Sequence, residues 1–348
     1  MQEEEKALWE AEERPSAGEP DTGVPAAEPD ASAQEAGPEP QEREDGADGS
    51  AQEEKRKKRR RRLRLLLLIP AALILLCAAV VGISALVCST CLSVKEYEVS
   101  IDGIDRPFTA VVLTDLHSKE YGRDNRRLLD KVRRQDPDVI FAVGDFISED
   151  AGDAEVERYL ALLERLGEIA PVYVSYGNHE QAYMRKTGVD LAPLIARTGA
   201  ILLNEEWTVA EIAGNRICLG GTMGHLYPFG RTYEEFFSSP EFRLVRSMQS
   251  SGLPTVMLSH LPDTIIFVNA YEVYDIDLFL SGHTHGGVIR VPGKGGLYAP
   301  MQGWFPEFDR GYFHPGKVQL IVSGGLAGHG RIPRIFNMPE ISVVHFSG

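Results

Sequence analysis

Residues 65–87 contain no charged side chain, running from Leu65-Leu66-Leu67-Leu68-Ile69-Pro70 onward to Val87. No water-soluble fold can leave such a run exposed, so it governs how the rest of the chain is divided. Twenty-three residues in a helix rise about 1.5 Å each and reach roughly 35 Å, enough to cross a hydrocarbon layer about 30 Å thick with some tilt. A buried core helix is the competing reading, but a core helix of this length rarely lacks any polar edge. The run predicts one transmembrane helix.

Its flanks set the expected orientation. Lys55-Arg56-Lys57-Lys58-Arg59-Arg60-Arg61-Arg62 and Arg64 form a basic juxtamembrane block over 55–64, on the N-terminal side only. The positive-inside rule then leaves the N-terminus in the cytoplasm and puts everything after residue 94 on the far side of the cell membrane. A cleavable signal peptide is disfavoured, because the apolar run exceeds the usual length and about 64 residues precede it. The expectation is a single-pass signal anchor with an extracytoplasmic C-terminal domain. A basic block can also bind nucleic acid, but beside a span it faces anionic lipid head groups instead. No nucleic-acid partner is expected.

Residues 1–54 carry 18 acidic side chains and three basic ones, Lys6, Arg14 and Arg43. Their net charge of −15 equals that of the whole chain, so the overall acidity says little about the folded part. The stretch is rich in Pro, Gly, Ala, Glu and Gln and poor in branched apolar residues. It buries too little to offset ordering entropy, which predicts a disordered acidic tail. Of the four cysteines, Cys77, Cys88 and Cys91 lie in or beside the span and Cys218 stands alone beyond it. Cys88 and Cys91 have redox-pair spacing but no strand–helix context, and read as small membrane-edge residues. With a single cysteine in the C-terminal region there is no disulfide framework, so that fold must rest on its core.

From Glu96 onward short apolar runs alternate with helical stretches. Strands are expected at Phe108–Leu113, Asp138–Val143, Val172–Ser175, Thr255–Leu258 and Asp277–Leu280. Helices are expected at Arg123–Gln135, Asp153–Leu166, 189–198 and 233–249. The stretch 200–222 reads as β, with runs at Ile201–Leu203, Trp207–Val209 and Ile217–Leu219. Residues 288–346 are richer in Gly, Pro and β patterns, including Val318–Val322 and Ile341–Val344. Strand–helix units early and strands late predict a layered α/β sandwich with its sheets face to face.

Five short motifs carry the chemistry: Asp115-Leu116-His117, Gly144-Asp145, Gly177-Asn178-His179-Glu180, Ser259-His260 and Gly282-His283-Thr284-His285. Alone, Asp-x-His is more often a surface pair and Gly-Asp a turn. Gly-Asn-His-Glu and Gly-His-Thr-His are rarer, because they serve no packing purpose at a strand end. Each of the five follows an expected strand, and the carboxyl ends of strands in open α/β sheets form the ligand crevice. Four His, two Asp and one Asn offer nitrogen and oxygen ligands without thiolate, a set that suits Mn²⁺, Fe or Zn²⁺ in a catalytic site. Two divalent ions side by side can clamp a phosphate and make hydroxide at neutral pH, and they need a bridging carboxylate; Asp145 is the candidate.

In that order the motifs resemble the calcineurin-like metallophosphoesterase superfamily, whose pattern is D-x-H, GD, GNH[DE], a His and GHxH. The resemblance covers about residues 95–348, taken as the catalytic domain, and implies a layered α/β/β/α sandwich. It implies that Asp115, His117 and His285 hold a first metal ion. Asn178, His260 and His283 hold a second, and Asp145 bridges. His179 resembles the family's non-ligand histidine, which donates a proton to the leaving group or steadies the transition state. Leu258-Ser259-His260-Leu261-Pro262-Asp263, Ser281 through Gly287 and Pro333-Arg334-Ile335-Phe336-Asn337-Met338-Pro339-Glu340-Ile341 are similar to membrane-associated bacterial phosphoesterases of the YkuE/YaeI type. One member type near that branch cleaves a UDP-linked lipid pyrophosphate.

Two departures bear on substrate. Phosphoprotein phosphatases carry Asp-Arg-Gly after the GD motif, whereas this chain continues Phe146-Ile147-Ser148-Glu149-Asp150. Near Gly220–Gly224 many relatives have an acidic residue where this chain has His225. The resulting expectation is a membrane-anchored hydrolase of phosphodiester or pyrophosphate bonds, acting on a phosphorylated small molecule or a lipid-linked or cell-envelope substrate. A phosphomonoesterase or nucleotidase on the same site, and a non-catalytic metal-bound scaffold, are the alternatives. Tyr298, Trp304, Phe305 and Phe308 form an aromatic cluster that reads either as loop packing or as a rim dipping toward acyl chains. Arg123, Lys294 and Arg331 are candidate contacts for a phosphate or nucleotide tail.

Overall fold

A computed structural model describes residues 48–224, 235, 238–266, 274–328, 330 and 332–348. Most of the acidic tail, His225, Arg331 and the start of the helix expected at 233–249 lie outside these residues. One helix, α1, runs Asp48–Thr90. It begins inside the stretch expected to stay unordered, where Glu53–Lys57 and Glu54–Lys58 pair at 2.9 Å with helical i,i+4 spacing. Within it, Gln52–Thr90 is long and apolar enough to cross a membrane, and the side chains of its apolar window are unburied.

Beyond α1 the chain builds two six-stranded sheets. The strands of the first are β1 Ser93–Ser100, β2 Phe108–Leu113, β3 Val139–Val143, β4 Val172–Ser175, β5 Ile201–Leu202 and, from the far end of the chain, Glu340–Ser347. Those of the second begin with β6 Glu206–Ile212, β7 Asn215–Thr222, β8 Thr255–Ser259 and β9 Leu278–Ser281. Two small hairpins follow, β10 Arg290–Val291 with β11 Gly295–Gly296 and β12 Tyr298–Ala299 with β13 Gly303–Trp304. The second sheet then closes with β14 Gly311–Phe313 and β15 Gln319–Val322, and Glu340–Ser347 is β16. The sheet orders are β1-β16-β2-β3-β4-β5 and β14-β15-β9-β8-β7-β6. In each sheet four successive strands run parallel: β2, β3, β4 and β5 in the first, and β7, β8, β9 and β15 in the second.

Parallel strands need both faces covered, and they read as continuous apolar runs. Phe108, Ala110, Val112, Phe141 and Val143 from one sheet meet Ile217, Leu219, Val256, Leu258 and Leu280 from the other. The first sheet's outer face carries α2 Arg126–Arg133, α3 Asp153–Gly167, α4 Asn178–Thr187 and α5 Ala192–Arg197. The second is covered by α6 Pro240–Gln249. The layers are therefore α/β/β/α. Helix α3 buries Val156, Tyr159, Leu162, Leu163 and Leu166 at helical spacing, while Leu160 stays at its edge. Fully burying each such side chain is worth about 1.5–3 kcal/mol.

Three elements were not expected. Strand β1 is masked in sequence by Lys95, Glu96 and Glu98, yet it is an edge strand that buries only Tyr97 and Val99 toward the core. Short β14 caps the other sheet. Helix α4 starts at the third motif itself, with Gly177 as its N-cap. The expectation for 189–198 contracts to Ala192–Arg197, begun by a proline in the first turn.

Glu180, in the first turn of α4, ties this helix to the strand ends. It is 1% exposed. One carboxylate oxygen accepts from Asp145 N at 2.8 Å and Gly177 N at 2.8 Å. The other accepts from Phe146 N at 2.6 Å and Ile147 N at 3.1 Å. Each oxygen thus serves two backbone donors. Burial and the Asp145 charge push the Glu180 pKa up, while the N–H bonds from Gly177, Ile147 and Asp145 hold it down. A Glu180→Gln side chain would turn an NH₂ toward two N–H donors in either orientation. At about 1–3 kcal/mol per unsatisfied buried group, this substitution is expected to destabilise the fold by about 3 kcal/mol, read as a lowered urea midpoint at unchanged m-value.

Candidate metal centre

Every motif lies just past a strand terminus: Asp115 after β2, Asp145 after β3, Asn178 after β4, and His260 and His283 after β8 and β9. The two sheets present these ends along one rim. The loops meet closely enough that a Cβ at Gly144 would lie 2.6 Å from His260 Nδ1 and 2.7 Å from the Gly177 backbone. Gly144 also has φ +72°, so a side chain there is excluded both by space and by conformation. Asp115, His117, Asp145, His283 and His285 all have positive φ. For non-glycine residues this costs about 1–2 kcal/mol each, and such strain gathers at functional sites.

The side chains converge on two adjacent points. Asp115, His117 and His285 form one cluster, and Asp145, His260 and His283 another, each with ligand atoms within 4.8 Å of one another. His117, Asp145 and His179 form a third such group between them. Asp145 Oδ2 lies 3.0 Å from His260 Nε2, 3.7 Å from His117 Nε2 and 4.0 Å from His179 Nε2. Asp115 Oδ1 lies 3.7 Å from His285 Nε2, 3.9 Å from His260 Nε2 and 4.0 Å from His117 Nε2. Atoms bound to one ion at about 2.0–2.2 Å sit at such separations. Asn178 opens α4 beside Asp145, whose Oδ1 accepts from His179 N at 2.9 Å.

Whether the set fits a metal is decided by its unpaired atoms. Among the described residues, Asn178 Oδ1 and His117 Nε2 are buried with no hydrogen-bond partner, and Asp145 Oδ2 and His260 Nε2, also buried, face only each other at hydrogen-bond distance, 3.0 Å apart. Native folds rarely leave buried polar atoms unpaired without a reason such as an ion. The outer ring atoms are held by backbone: His260 Nδ1 is 2.9 Å from Val143 O, and His285 Nδ1 is 3.1 Å from Ala327 O. In the neutral rings, a proton on each Nδ1 donates to its carbonyl and leaves Nε2 as the lone pair, the tautomer a ligand needs. Asp115 accepts from His283 N at 3.0 Å, linking the first and last motifs.

The electrostatics separate the rings. Burial, reinforced by the neighbouring His260, pushes His283 down to about 3, and burial lowers His117 as well. Both rings are therefore neutral at pH 7, as ligation requires. Burial raises Asp145, but His260 and His117 outweigh it and hold the carboxyl well below its usual range. Burial lowers His260, and Asp145 more than reverses this, to about 10. The pair holds a positive charge between its members, whether proton or metal ion.

His179 differs from the other rings. Its Nδ1 accepts from Glu149 N at 3.3 Å, so in the neutral ring Nε2 carries the proton. It stands edge-on to His117, ring centroids 4.6 Å apart, at an open cleft of about 540 Å³. His117, Lys119, Ser148, Glu149, Asp150, Ala327, Gly328 and Gly330 share that cleft.

Several supporting residues were not read from sequence. Lys119 is one; burial takes its pKa down to about 8, and its Nζ is 3.0 Å from Tyr121 Oη. Asn337 Nδ2 donates to His285 O at 2.7 Å and Val288 O at 3.0 Å, bracing the last motif. Buried Arg334 donates to Ala327 O, the same carbonyl that holds His285. Asn337 and Arg334 lie in the Pro333–Ile341 segment already notable in sequence, while Lys119 had only its place after His117 as a signal. Of the proposed tail contacts, Arg123 pairs with Asp124 at 3.7 Å on the surface, and Lys294 lies over the Phe305 ring.

The calcineurin-like phosphoesterase family model matches residues 108–287. An uncharacterized metallophosphoesterase of Campylobacter jejuni is 29% identical over 261 residues, 73% of this chain and 63% of that protein. The uncharacterized metallophosphoesterase YkuE of Bacillus subtilis is 26% identical over 239 residues, 68% of this chain and 78% of its own length. Phosphodiesterase YaeI of Escherichia coli is 28% identical over 203 residues, 56% of this chain and 67% of its own length. The chain thus spans under two thirds of the Campylobacter relative. Because the family match takes in just over half of the chain, from β2 to the end of the last motif, this protein belongs to the calcineurin-like phosphoesterases, on the YkuE and YaeI branch.

Proposed function

We propose that the centre is dinuclear and hydrolyses phosphodiester or pyrophosphate bonds of lipid-linked or cell-envelope substrates. Asp115, His117 and His285 would hold one ion, Asn178, His260 and His283 the other, with Asp145 between them. The observation that carries this is the convergence on one rim of three clusters of ligand atoms, in which buried Asn178 Oδ1 and His117 Nε2 have no hydrogen-bond partner and buried Asp145 Oδ2 and His260 Nε2 face each other. When bound, divalent ions of this kind, Mn²⁺, Fe or Zn²⁺, supply Lewis acidity toward phosphoryl oxygens and acidify water. The protein's own part is to orient and to move a proton. His179 presents an Nε2 proton to the cleft, its tautomer fixed by Glu149 N, and is placed to protonate the leaving oxygen. Lys119 lines the same cleft and offers a cation to a further anionic group of the substrate.

The domain plan supports the substrate class. Residues 65–87 act as the transmembrane signal anchor, 55–64 as the lipid-facing basic block, 1–54 as a cytoplasmic tail and 95–348 as the extracytoplasmic catalytic domain. An enzyme held at a bilayer meets phosphoesters of membrane lipids and their carriers at high local concentration. The absence of Asp-Arg-Gly also bears on substrate: Phe146 and Ile147 stand after Asp145, buried, and use their N–H groups to hold Glu180.

Hydrolysis of bis(p-nitrophenyl) phosphate by the full-length protein is expected to vanish on chelation and to return with Mn²⁺. Metal analysis should read two ions per chain, and a single ion with full activity would overturn the dinuclear reading. His179→Ala is expected to lower kcat by about 10²–10⁴-fold with metal content intact; turnover within threefold of wild type would remove its role. Asp145→Asn is expected to lose at least one ion and more than 99% of activity.

A further inference from the structure

We propose that the loop Ile332–Phe336 and the hairpin loop Tyr298–Phe305 form an apolar collar immersed at the lipid–water boundary, so that the metal cleft opens beside the head groups of the bilayer that α1 crosses. The inference rests on the reading of α1 as a membrane span and adds which face of the catalytic domain meets lipid.

The first support is a contact between α1 and the domain. Ser84 Oγ accepts from Phe336 N at 2.7 Å, and Arg127 Nη2 donates to Thr90 O at 2.9 Å. Cys88, one turn beyond Ser84, is buried, and Ser84 and Ala85 are half-buried, so one stripe of the helix end faces the domain. Counting from Leu65, about 20 residues at about 1.5 Å each fill a hydrocarbon layer of about 30 Å. That count ends at Ser84. A bilayer that covers the apolar run therefore reaches the backbone of Phe336.

The second support is where apolar surface is left uncovered. Among the described residues beyond α1, the exposed large hydrophobic side chains are Tyr298, Met301, Trp304, Phe305, Ile332 and Phe336 in these two loops, and only Val189, Ile201 and Val209 elsewhere. Contiguous exposed apolar surface marks an interaction site, and Trp and Tyr favour the interfacial layer. The two loops are joined by backbone bonds. Arg290 N donates to Ile335 O at 2.9 Å, Leu297 N to Ile289 O at 2.7 Å and Phe305 N to Leu297 O at 2.9 Å. Phe308, the fourth member of the aromatic cluster, instead packs on Phe313 with ring centroids 5.1 Å apart. The cluster thus divides into a packed member and an exposed rim. Lys294, over the Phe305 ring, sets a cation in that rim, suited to anionic head groups.

The third support links the collar to the site. Ala327, Gly328 and Gly330 wall the cleft, and Ile332 of the collar stands two positions after Gly330 in the sequence. A phosphoester on a membrane lipid would enter over this short edge without leaving the interface.

The test places p-benzoylphenylalanine at Phe336, Trp304, Ile74 or Ile201 in the full-length chain, in vesicles of phosphatidylcholine and phosphatidylglycerol, and reads lipid adducts by mass after irradiation. Bis(p-nitrophenyl) phosphate hydrolysis within twofold of wild type verifies each fold. Adducts at 74, 336 and 304, with none at 201, are the expected result. Adducts at 74 without any at 336 or 304 would overturn the collar and leave the anchor standing. No adduct at 74 would overturn the anchor, and the collar with it. Equal labelling at 201 would show that no particular face meets lipid, which also sinks the collar.

Discussion

The grip of one buried carboxylate on four backbone N–H groups is the constraint on which the rest of the centre depends. Glu180 binds the loop after β3, at Asp145, Phe146 and Ile147, to the turn after β4, at Gly177. Asp145 can then aim its carboxylate at His260 and His117, because its own backbone is pinned from behind. The same interaction caps α4 by reaching back to Gly177, so a helix start and a wall of the candidate site are made by one side chain. Charged acceptors form stronger hydrogen bonds than neutral ones, and four donors offset the cost of burying this one.

What that grip holds is a set of residues the backbone would not otherwise place so. Five ligand-type side chains occupy left-handed backbone positions, and His117 Nε2 and Asn178 Oδ1 are brought inside with no hydrogen-bond partner among the described residues. Strain and unpaired polar atoms both cost free energy. The surrounding sheets offset this with broad apolar layers, including Phe141, Leu163 and Phe279, each fully buried. A bound ion would remove part of the cost, which is why metal binding and stability are expected to move together.

The contact of the two-sheet domain with the end of α1 adds a second level of order. The final segment, Pro333–Ile341, does three jobs within a few residues: Phe336 meets the helix end, Asn337 and Arg334 brace the carbonyls around His285, and Glu340 pairs with Arg310. The contact with α1, the support of His285 and a strand of the core sheet are therefore one continuous piece of chain, ending in β16.

Much was legible beforehand for physical reasons. An uncharged run of this length has few homes, parallel strands must be apolar on both faces, and rare polar clusters after such strands point to ligands. Those rules read the long apolar helix and the two-sheet layering, and they singled out Asp115, His117, Asp145, Asn178, His179, His260, His283 and His285 as candidates. They did not read β1, whose charges lie on its exposed face, nor α4, whose first residues serve the site before they serve the helix. Nor did they read Glu180, Arg334 and Asn337, because a residue that supports ligands through backbone atoms leaves no periodic signature. The sequence by itself thus determined which atoms were available for chemistry. Only the tertiary structure decided which of them face one another, since a β2 aspartate and a histidine 168 residues later meet through sheet order and loop closure, neither of which is written locally.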